Sequence, residues 1–330
     1  MRETTTHTKM ILPTLSLYVH IPWCVRKCPY CDFNSHESTT IDEERYITTL
    51  LADLKTEQQL RLSLGHSHKL SSIFFGGGTP SLFSAEGIAG ILQAAESTVG
   101  FEDDIEITLE ANPGTFEQEK FSGFFDAGIN RLSIGIQSFN EQQLHKLGRI
   151  HSSNEAKTAV GIAKKAGFSN INIDLMHGLS EQSVLEAKAD LQTAIDLEPQ
   201  HISWYQLTIE PNTAFYRQPP PLPADDILAD IQYHGTQLLE KYGYHQYEVS
   251  AFSQSGRQSK HNMNYWQFGD YIGIGAGAHG KLSNNQTQEV IRRQKTRLPE
   301  HYMKNSFAGL DPRTHVTHDK VQHRLSLIHI

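Results

Sequence analysis

Six times along this chain, a short run rich in β-branched and aromatic residues gives way to a turn and then to a stretch with helical periodicity. That alternation constrains the fold more than any other feature. The strand-like runs are LSLYVHI (15–21), SSIFF (71–75), DIEITLE (104–110), RLSIGIQ (131–137), NINIDLM (170–176) and HISWYQLTI (201–209). Helical patterns follow at about 42–64, 84–98 and 116–127, from the fourth strand through about 166, and at 181–197 and 225–242. Units repeating every 30–40 residues or so need crossover connections, so the strands are expected to be parallel and covered by helices. Periodicity does not choose between an open sheet and an incomplete barrel. In either case the loops after the strand C-termini gather at one edge, where such folds place ligands. The proline stretch 219–223 marks a pause before the last helix. Beyond 243 the pattern changes to short strands and glycine turns, YHQYEVSAF and GDYIGIGAGAHG, read as an accessory sheet region packed against the main body.

Composition excludes several classes. A hydrophobic content of 38% with 20% charged residues supplies a real core. No apolar run reaches the ~18 residues of a membrane span, and Pro13 interrupts the only candidate for a secretory h-region. A cytoplasmic location is therefore expected, where clustered thiols bind metal or do chemistry more often than they form disulfides. A net charge of −8 argues against a nucleic-acid partner. The one basic cluster, IRRQKTR at 291–297, reads as a solvated surface segment. His301, His315, His318, His323 and His329, which crowd the C-terminal tail, are expected to be exposed and without a ligand role.

All three cysteines, Cys24, Cys28 and Cys31, fall in a C-x3-C-x2-C pattern directly after the first strand. Three thiolates at this spacing can hold three irons of a 4Fe–4S cluster and leave the fourth iron open. A zinc site completed by His20, Asp32 or His36 is the competing reading. Free buried cysteines fit least well, and the spacing favours the cluster. Glu110 ends the third strand, Gln137 the fourth, and Asp174 lies within the fifth, an arrangement that suggests one shared pocket. The turn GGGTP follows the second strand, and missing side chains at Gly77 and Gly78 would let backbone approach a ligand.

The cysteine pattern after the first strand, with GGGTP after the second, resembles the radical S-adenosylmethionine (SAM) superfamily. YVHIPWC, GGGTPS, EANPG, IGIQSFN, GRIH, NIDLMHGL and WYQLTIEPNT together resemble its branch containing oxygen-independent coproporphyrinogen III oxidase and HemW-like haem chaperones, from about residue 14 to 300. The resemblance implies an α/β fold, a partial (βα)6 radical SAM barrel over 14–243. A C-terminal accessory β/α region, haem-associated, would follow at 244–310, with a flexible N-terminus at 1–13 and an atypical tail at 311–330, expected to be truncated. It implies SAM chelating the open iron, Gly77, Gly78 and Thr79 meeting its methionine end, and Tyr18 and Tyr30 as aromatic contacts to cluster and SAM. Glu110, Gln137, Asp174 and Arg149, the last placed to pair a ligand carboxylate, would complete the pocket.

Two departures separate the branches. The oxidase resembled here has a fourth cysteine two positions beyond the third, where this chain has Phe33. HNMNYW at 261–266 matches a motif associated with haem binding in HemW-like proteins, with His261 as axial ligand and Asn262, Tyr265 and Trp266 around the porphyrin. His279 joins the same cofactor-binding set. A hydrogen-bonded His261–Asn262 turn with Tyr265 and Trp266 in the core is the plainer alternative. The resemblance thus implies a chaperone that carries a SAM-ligated cluster, binds haem and passes it to apo-haemoproteins. It leaves open whether SAM is cleaved, allows a homodimer, and allows at most peripheral membrane contact. The alternatives are coproporphyrinogen III oxidation, a radical SAM enzyme acting on tRNA, and a zinc-binding structural module.

Overall fold

A computed structural model describes residues 12–284, 286–305 and 315–320. Six strands run parallel in chain order: β1 (Leu15–Ile21), β2 (Leu70–Gly77), β3 (Phe101–Ala111), β4 (Arg131–Gln137), β5 (Ile171–His177) and β6 (His201–Gln206). The principal helices between them are α1 (Glu43–Ser63), α2 (Ala85–Thr98), α3 (Phe121–Asp126), α4 (Ser153–Lys165) and α5 (Val184–Asp196), and α6 (Asp225–Lys241) follows β6. Local sequence starts the helices where it should. Ser152 with Glu155, and Ser183 with Glu186, form reciprocal capping boxes at α4 and α5. The helix expected over 116–127 is instead two pieces, Thr115–Gln118 and α3, broken where the Lys120 ammonium turns to the carbonyls of Leu82 and Phe83 at 2.8 and 3.1 Å.

The strands alternate, but both faces are covered. Leu15, Leu17, Val19 and Ile21 of β1 join a core with Leu50 and Leu54 of α1 and with Ile73 and Phe75 of β2. The opposite face is largely polar and in register: Ser16 beside Ser72, Thr108 beside Arg131, Ser133 beside Asn172, Asn172 beside His201 and Asp174 beside Ser203. A polar inner face on a parallel sheet is unusual for strands buried on both sides. It marks the inside of the partial barrel as a place for bound groups.

The segment beyond 243 is not a separate sheet lying against the barrel. It extends the same sheet at both edges. Strand β7 (Ala251–Ser253) adds antiparallel to β6, and β8 (Asp270–Ile274) adds parallel to β1. Strands β9 (His279–Asn284), β10 (Glu289–Gln294) and β11 (His315–Lys320) continue antiparallel beyond β8. The physical reason is the open edge: β1 and β6 would each present a row of unpaired backbone groups, and the later segments pair them. Buried charges fasten this extension to α1, where Asp53 and Glu57 meet Lys295 and Arg293, and Tyr302 donates to Asp53 at 2.7 Å. Between β7 and β8, the short helix α7 (Lys260–Trp266) packs against β1 and β2. Among the described residues no helix is long and apolar enough to cross a membrane. Of the expected N-terminal segment, residues 1–11 lie outside the described residues, as does the expected tail apart from β11.

Candidate functional site

The cysteine loop leaves β1 at Pro22 and is closed by a two-residue parallel pairing of Trp23–Cys24 with His36–Glu37. Cys28 and Cys31 sit on a turn held by the Cys31 N–H donating to the Cys28 carbonyl at 3.1 Å. The Lys27 ammonium caps the carbonyls of Phe33 and Ser35. All three thiols are half-buried and free of disulfides. Burial pushes the Cys24 and Cys31 thiols up, and hydrogen bonding to Ser35 partly counters it at both. Cys24 lies close enough to feel the charge of Cys31 and Cys28, and Cys31 that of Cys28. Among the described residues, however, no three metal-binding side chains are already drawn into one closed set.

The donor chemistry suits a cluster held through three irons. Of the candidate fourth zinc ligands, His20 is committed: Nδ1 pairs with the Tyr18 hydroxyl at 3.0 Å and Nε2 with the Asn34 carbonyl at 2.9 Å. Burial lowers its pKa to about 4. Asp32 is exposed, and His36 keeps one buried nitrogen without a partner. Beside the thiols a fixed cation is already in place. Arg149 is half-buried, and its guanidinium donates to Cys28 Sγ at 3.5 Å and to Asn112 Oδ1 and the Gly135 carbonyl, both at 2.7 Å. A guanidinium held by hydrogen bonds against a thiolate-ligated centre offsets negative charge. Both Arg149 terminal nitrogens are thus engaged within the protein, and only Nε remains unpartnered for the ligand carboxylate expected there.

The glycine turn has a different reason from the one its sequence suggests. Gly78 N–H donates to the Ile21 carbonyl and Thr79 N–H to the Trp23 carbonyl, each at 2.7 Å. A Cβ on Gly78 would lie 2.8 Å from the Trp23 carbonyl carbon, and one on Gly77, at φ 117°, 2.6 Å from the His20 ring. The missing side chains make room for the cysteine loop itself. Gly77 also donates to Glu110 Oε2 at 3.2 Å, so the same turn joins the loop to the mouth of the barrel.

At that mouth the expected polar residues do converge. Burial, with Asp174 nearby, pushes the Glu110 carboxyl up to about 8. Burial also raises Asp174, against donations from Ser133 at 3.0 Å and Asn172 at 2.7 Å. Gln137 adopts a left-handed φ of 72° at a register shift between β4 and β5, and its Oε1 accepts from the Tyr205 hydroxyl at 2.6 Å. Strain in a non-glycine residue at a strand end is a frequent companion of function. Tyr30 packs with Phe215 and engages the Cys28 thiol, while burial holds its phenol protonated. Tyr18 is half-buried, stacked on Phe74, and its hydroxyl pairs with His20 Nδ1 at 3.0 Å.

The HNMNYW segment forms α7, capped by Ser259. His261 is buried, its Nδ1 paired with Ser72 Oγ at 3.1 Å and its Nε2 with the Tyr265 hydroxyl at 2.9 Å. The ring stacks on Phe74 at 5.1 Å, and burial drives its pKa to about 3. The expected axial ligand therefore presents no free nitrogen; it pins α7 beneath β1 and β2. Asn262 N–H bonds the cap, Tyr265 sits edge-on to Tyr271, and Trp266 is largely exposed. His279 opens β9 and is exposed beside Arg297. Sequence reasoning missed Asn112, Arg131, Ser133, Asn172 and Tyr205. For Arg131, Ser133, Asn172 and Tyr205 the available signal was the polar residue at every second position of RLSIGIQ, NINIDLM and HISWYQ; Asn112, in the turn EANPG, had none.

Residues 18–191 match the radical SAM superfamily. Heme chaperone HemW of Haemophilus influenzae is 57% identical over 297 residues, spanning 90% of this chain and 77% of that protein. The Escherichia coli heme chaperone HemW is 50% identical over the same shares. Radical S-adenosyl methionine domain-containing protein 1, mitochondrial, of Mus musculus is 38% identical over 88% of this chain and 66% of its own length. Among solved structures, coproporphyrinogen III oxidase (HemN) of Escherichia coli superposes with a TM-score of 0.75 over 92% of this chain and 71% of that one, at 23% identity. That last similarity is one of fold.

Proposed function

Because the chain belongs to the radical SAM superfamily, and within it to the family of the heme chaperone HemW, we propose that it is a haem chaperone carrying a SAM-ligated 4Fe–4S cluster. In this reading it binds haem as cargo and passes it to apo-haemoproteins, working in the cytoplasm. A homodimer and peripheral membrane contact are compatible with it, and nucleic acid is not a partner. Cys24, Cys28 and Cys31 hold the cluster, and Arg149 orients and neutralises the Cys28 side of it. When bound, the cluster supplies one-electron chemistry at an iron that SAM chelates. The protein's own part is positional. The turn at Gly77, Gly78 and Thr79 fixes the loop, and Glu110, Gln137 and Asp174 line the adjoining mouth. A carboxyl held near pH 8 favours Glu110 as a hydrogen-bond donor to a neutral or hydroxylated group at neutral pH.

The observation that carries the reading is the cysteine loop of a chain 57% identical to a heme chaperone: it offers three thiols and then an exposed Phe33 where the oxidase pattern has a fourth cysteine. The fold it shares with coproporphyrinogen III oxidase favours that oxidation as the second reading. Anaerobically reconstituted protein, incubated with SAM, reductant and coproporphyrinogen III, separates the two. The chaperone reading expects bound iron and sulfide, hemin binding and no protoporphyrinogen. Protoporphyrinogen formation would transfer the assignment to the oxidase, and zinc in place of iron would end the cluster reading.

A further inference from the structure

Inside the barrel, an unbroken line of hydrogen bonds runs from the mouth to the helix that carries HNMNYW. It starts at Asp174 on β5. There Oδ2 accepts from Ser133 Oγ at 3.0 Å, and Oδ1 from Asn172 Nδ2 at 2.7 Å. Asn172 Oδ1 accepts from His201 Nδ1 at 2.6 Å and from the Ser203 N–H at 3.0 Å. His201 Nε2 meets the Tyr247 hydroxyl at 2.8 Å, and that oxygen accepts from the Ser259 N–H at 3.2 Å. Ser259 is the N-cap of α7. Its Oγ accepts from the Asn262 N–H and donates to Glu106 Oε1, each at 3.3 Å. Asn172, His201 and Ser259 are closed to solvent.

Every proton in this line has a fixed direction. Backbone N–H groups only donate, so Ser203 identifies the Asn172 oxygen, and Ser259 makes the Tyr247 oxygen an acceptor. Facing the Asn172 oxygen, His201 Nδ1 carries the proton, and Nε2 accepts from the Tyr247 hydroxyl. The donors therefore all point one way, from the cap of α7 to the Asp174 carboxylate, and bonds aligned in series polarise one another. A weak element stands at the far end. α7 has seven residues, too few to persist without its cap and its packing. His261 within it has both nitrogens occupied, so ligation of haem by His261 needs one of those bonds to open.

We propose that Asn172, His201 and Tyr247 are positioning residues that couple the mouth of the barrel to α7. A ligand hydroxyl donating to Asp174 draws on its charge, weakens the line behind it and loosens the helix bearing His261 and Trp266. The inference rests on the haem-chaperone reading, with SAM as the hydroxyl-bearing ligand. Such coupling is reciprocal: bound SAM tightens haem, and bound haem tightens SAM to the same degree.

Hemin titration of the full, anaerobically reconstituted chain without reductant, with and without saturating SAM, makes the test. In wild type, SAM should tighten hemin binding about fivefold or more and speed amide hydrogen exchange over residues 262–266. Tyr247→Phe keeps the ring against His201, at 5.5 Å between centroids, and removes the link. It should bind hemin equally with and without SAM, at the affinity of SAM-loaded wild type. Tyr244→Phe deletes another tyrosine hydroxyl, bonded to the Pro199 carbonyl at 2.6 Å and outside the line. It should lose stability and keep the SAM effect. Tm, iron content and bound SAM show that each variant folds and loads. Where Tyr247→Phe does not fold, the exchange response of wild type to SAM decides, and an unchanged rate overturns the proposal. A SAM effect that persists in Tyr247→Phe, vanishes in Tyr244→Phe as well, or is missing from wild type that binds both ligands would also overturn it. If wild-type protein binds no hemin, the haem-chaperone reading itself falls, and the exchange response of α7 to SAM still tests the coupling.

Discussion

Replacing Gly78 by alanine adds one methyl group at the point where the glycine turn clasps the cysteine loop. The backbone there is not in the left-handed region, so the effect is steric. The new Cβ would sit 2.8 Å from the Trp23 carbonyl carbon and 2.9 Å from its nitrogen. Ordinary carbon–carbon spacing is about 3.5 Å, so loop and turn must separate by roughly 0.7 Å. That strains the bonds Gly78 N–H to Ile21 O and Thr79 N–H to Trp23 O. Overpacking of this kind costs about 1–3 kcal/mol. A shift of roughly 0.7 Å also exceeds the ~0.2 Å tolerance of metal–ligand distances, and Cys24 is the residue next to Trp23. Gly78→Ala should therefore fold, melt a few degrees lower, and take up markedly less iron and sulfide on anaerobic reconstitution than wild type. Gly90→Ala is the control: its Cβ meets nothing within 4 Å in the middle of α2, so stability should hold or rise. Full iron content with an unchanged Tm in Gly78→Ala would refute the account of the turn.

Further outcomes follow from the same geometry. Glu110 has its pKa raised from 4.5 to about 8 by burial and by Asp174. Its protonated form therefore stabilises the fold fully below pH 4.5, and that contribution is lost as pH rises toward 8. Glu110→Gln should flatten the decline of Tm between pH 5 and 8, and parallel curves would show the carboxyl to be ionised throughout. Lys295 has its charge opposed by burial but held by Asp53 and Glu57. Lys295→Met leaves those two carboxylates, among the described residues, with Arg293 as their paired cation and should cost about 3–5 kcal/mol in denaturant unfolding; a cost below 1 kcal/mol or so would mean that the ion group is solvated. His261→Ala opens a cavity beside Phe74 and strands the Tyr265 hydroxyl, for a loss of about 2–4 kcal/mol, against near-zero loss if the histidine were an exposed ligand. Arg149→Met removes the donors to Asn112 and Gly135 and the cation beside Cys28. It should lower cluster retention after reduction, and wild-type retention would count against that role.

The six strands were readable because each is a short apolar run between turn residues, and the cysteine spacing pointed to its chemistry without any structure. Pairing across long separations was not readable. Asp270–Ile274 carries the pattern of a strand, yet nothing local says that it will lie beside Leu15–Val19 and complete the β1 edge. The environment of a recognised side chain was equally hidden. HNMNYW identifies residue types suited to haem, but only the packing reveals that His261 spends both nitrogens on Ser72 and Tyr265. Arg149 was visible as a pocket residue but not as the partner of Cys28, because the contact spans 121 positions. His36 was visible only as a candidate zinc ligand. Its Nε2, shielded from solvent and without a partner, is a product of packing that the local sequence does not show.

The central claim is that this protein carries haem and gives it up. The most direct measurement loads the reconstituted chain with hemin, removes the excess, adds an apo-globin, and follows the Soret band. The account predicts that the spectrum of the loaded chain is replaced by that of the reconstituted globin at a rate that rises with acceptor concentration. Hemin that stays on the chain, or transfer at the same rate as from free hemin in solution, would contradict it.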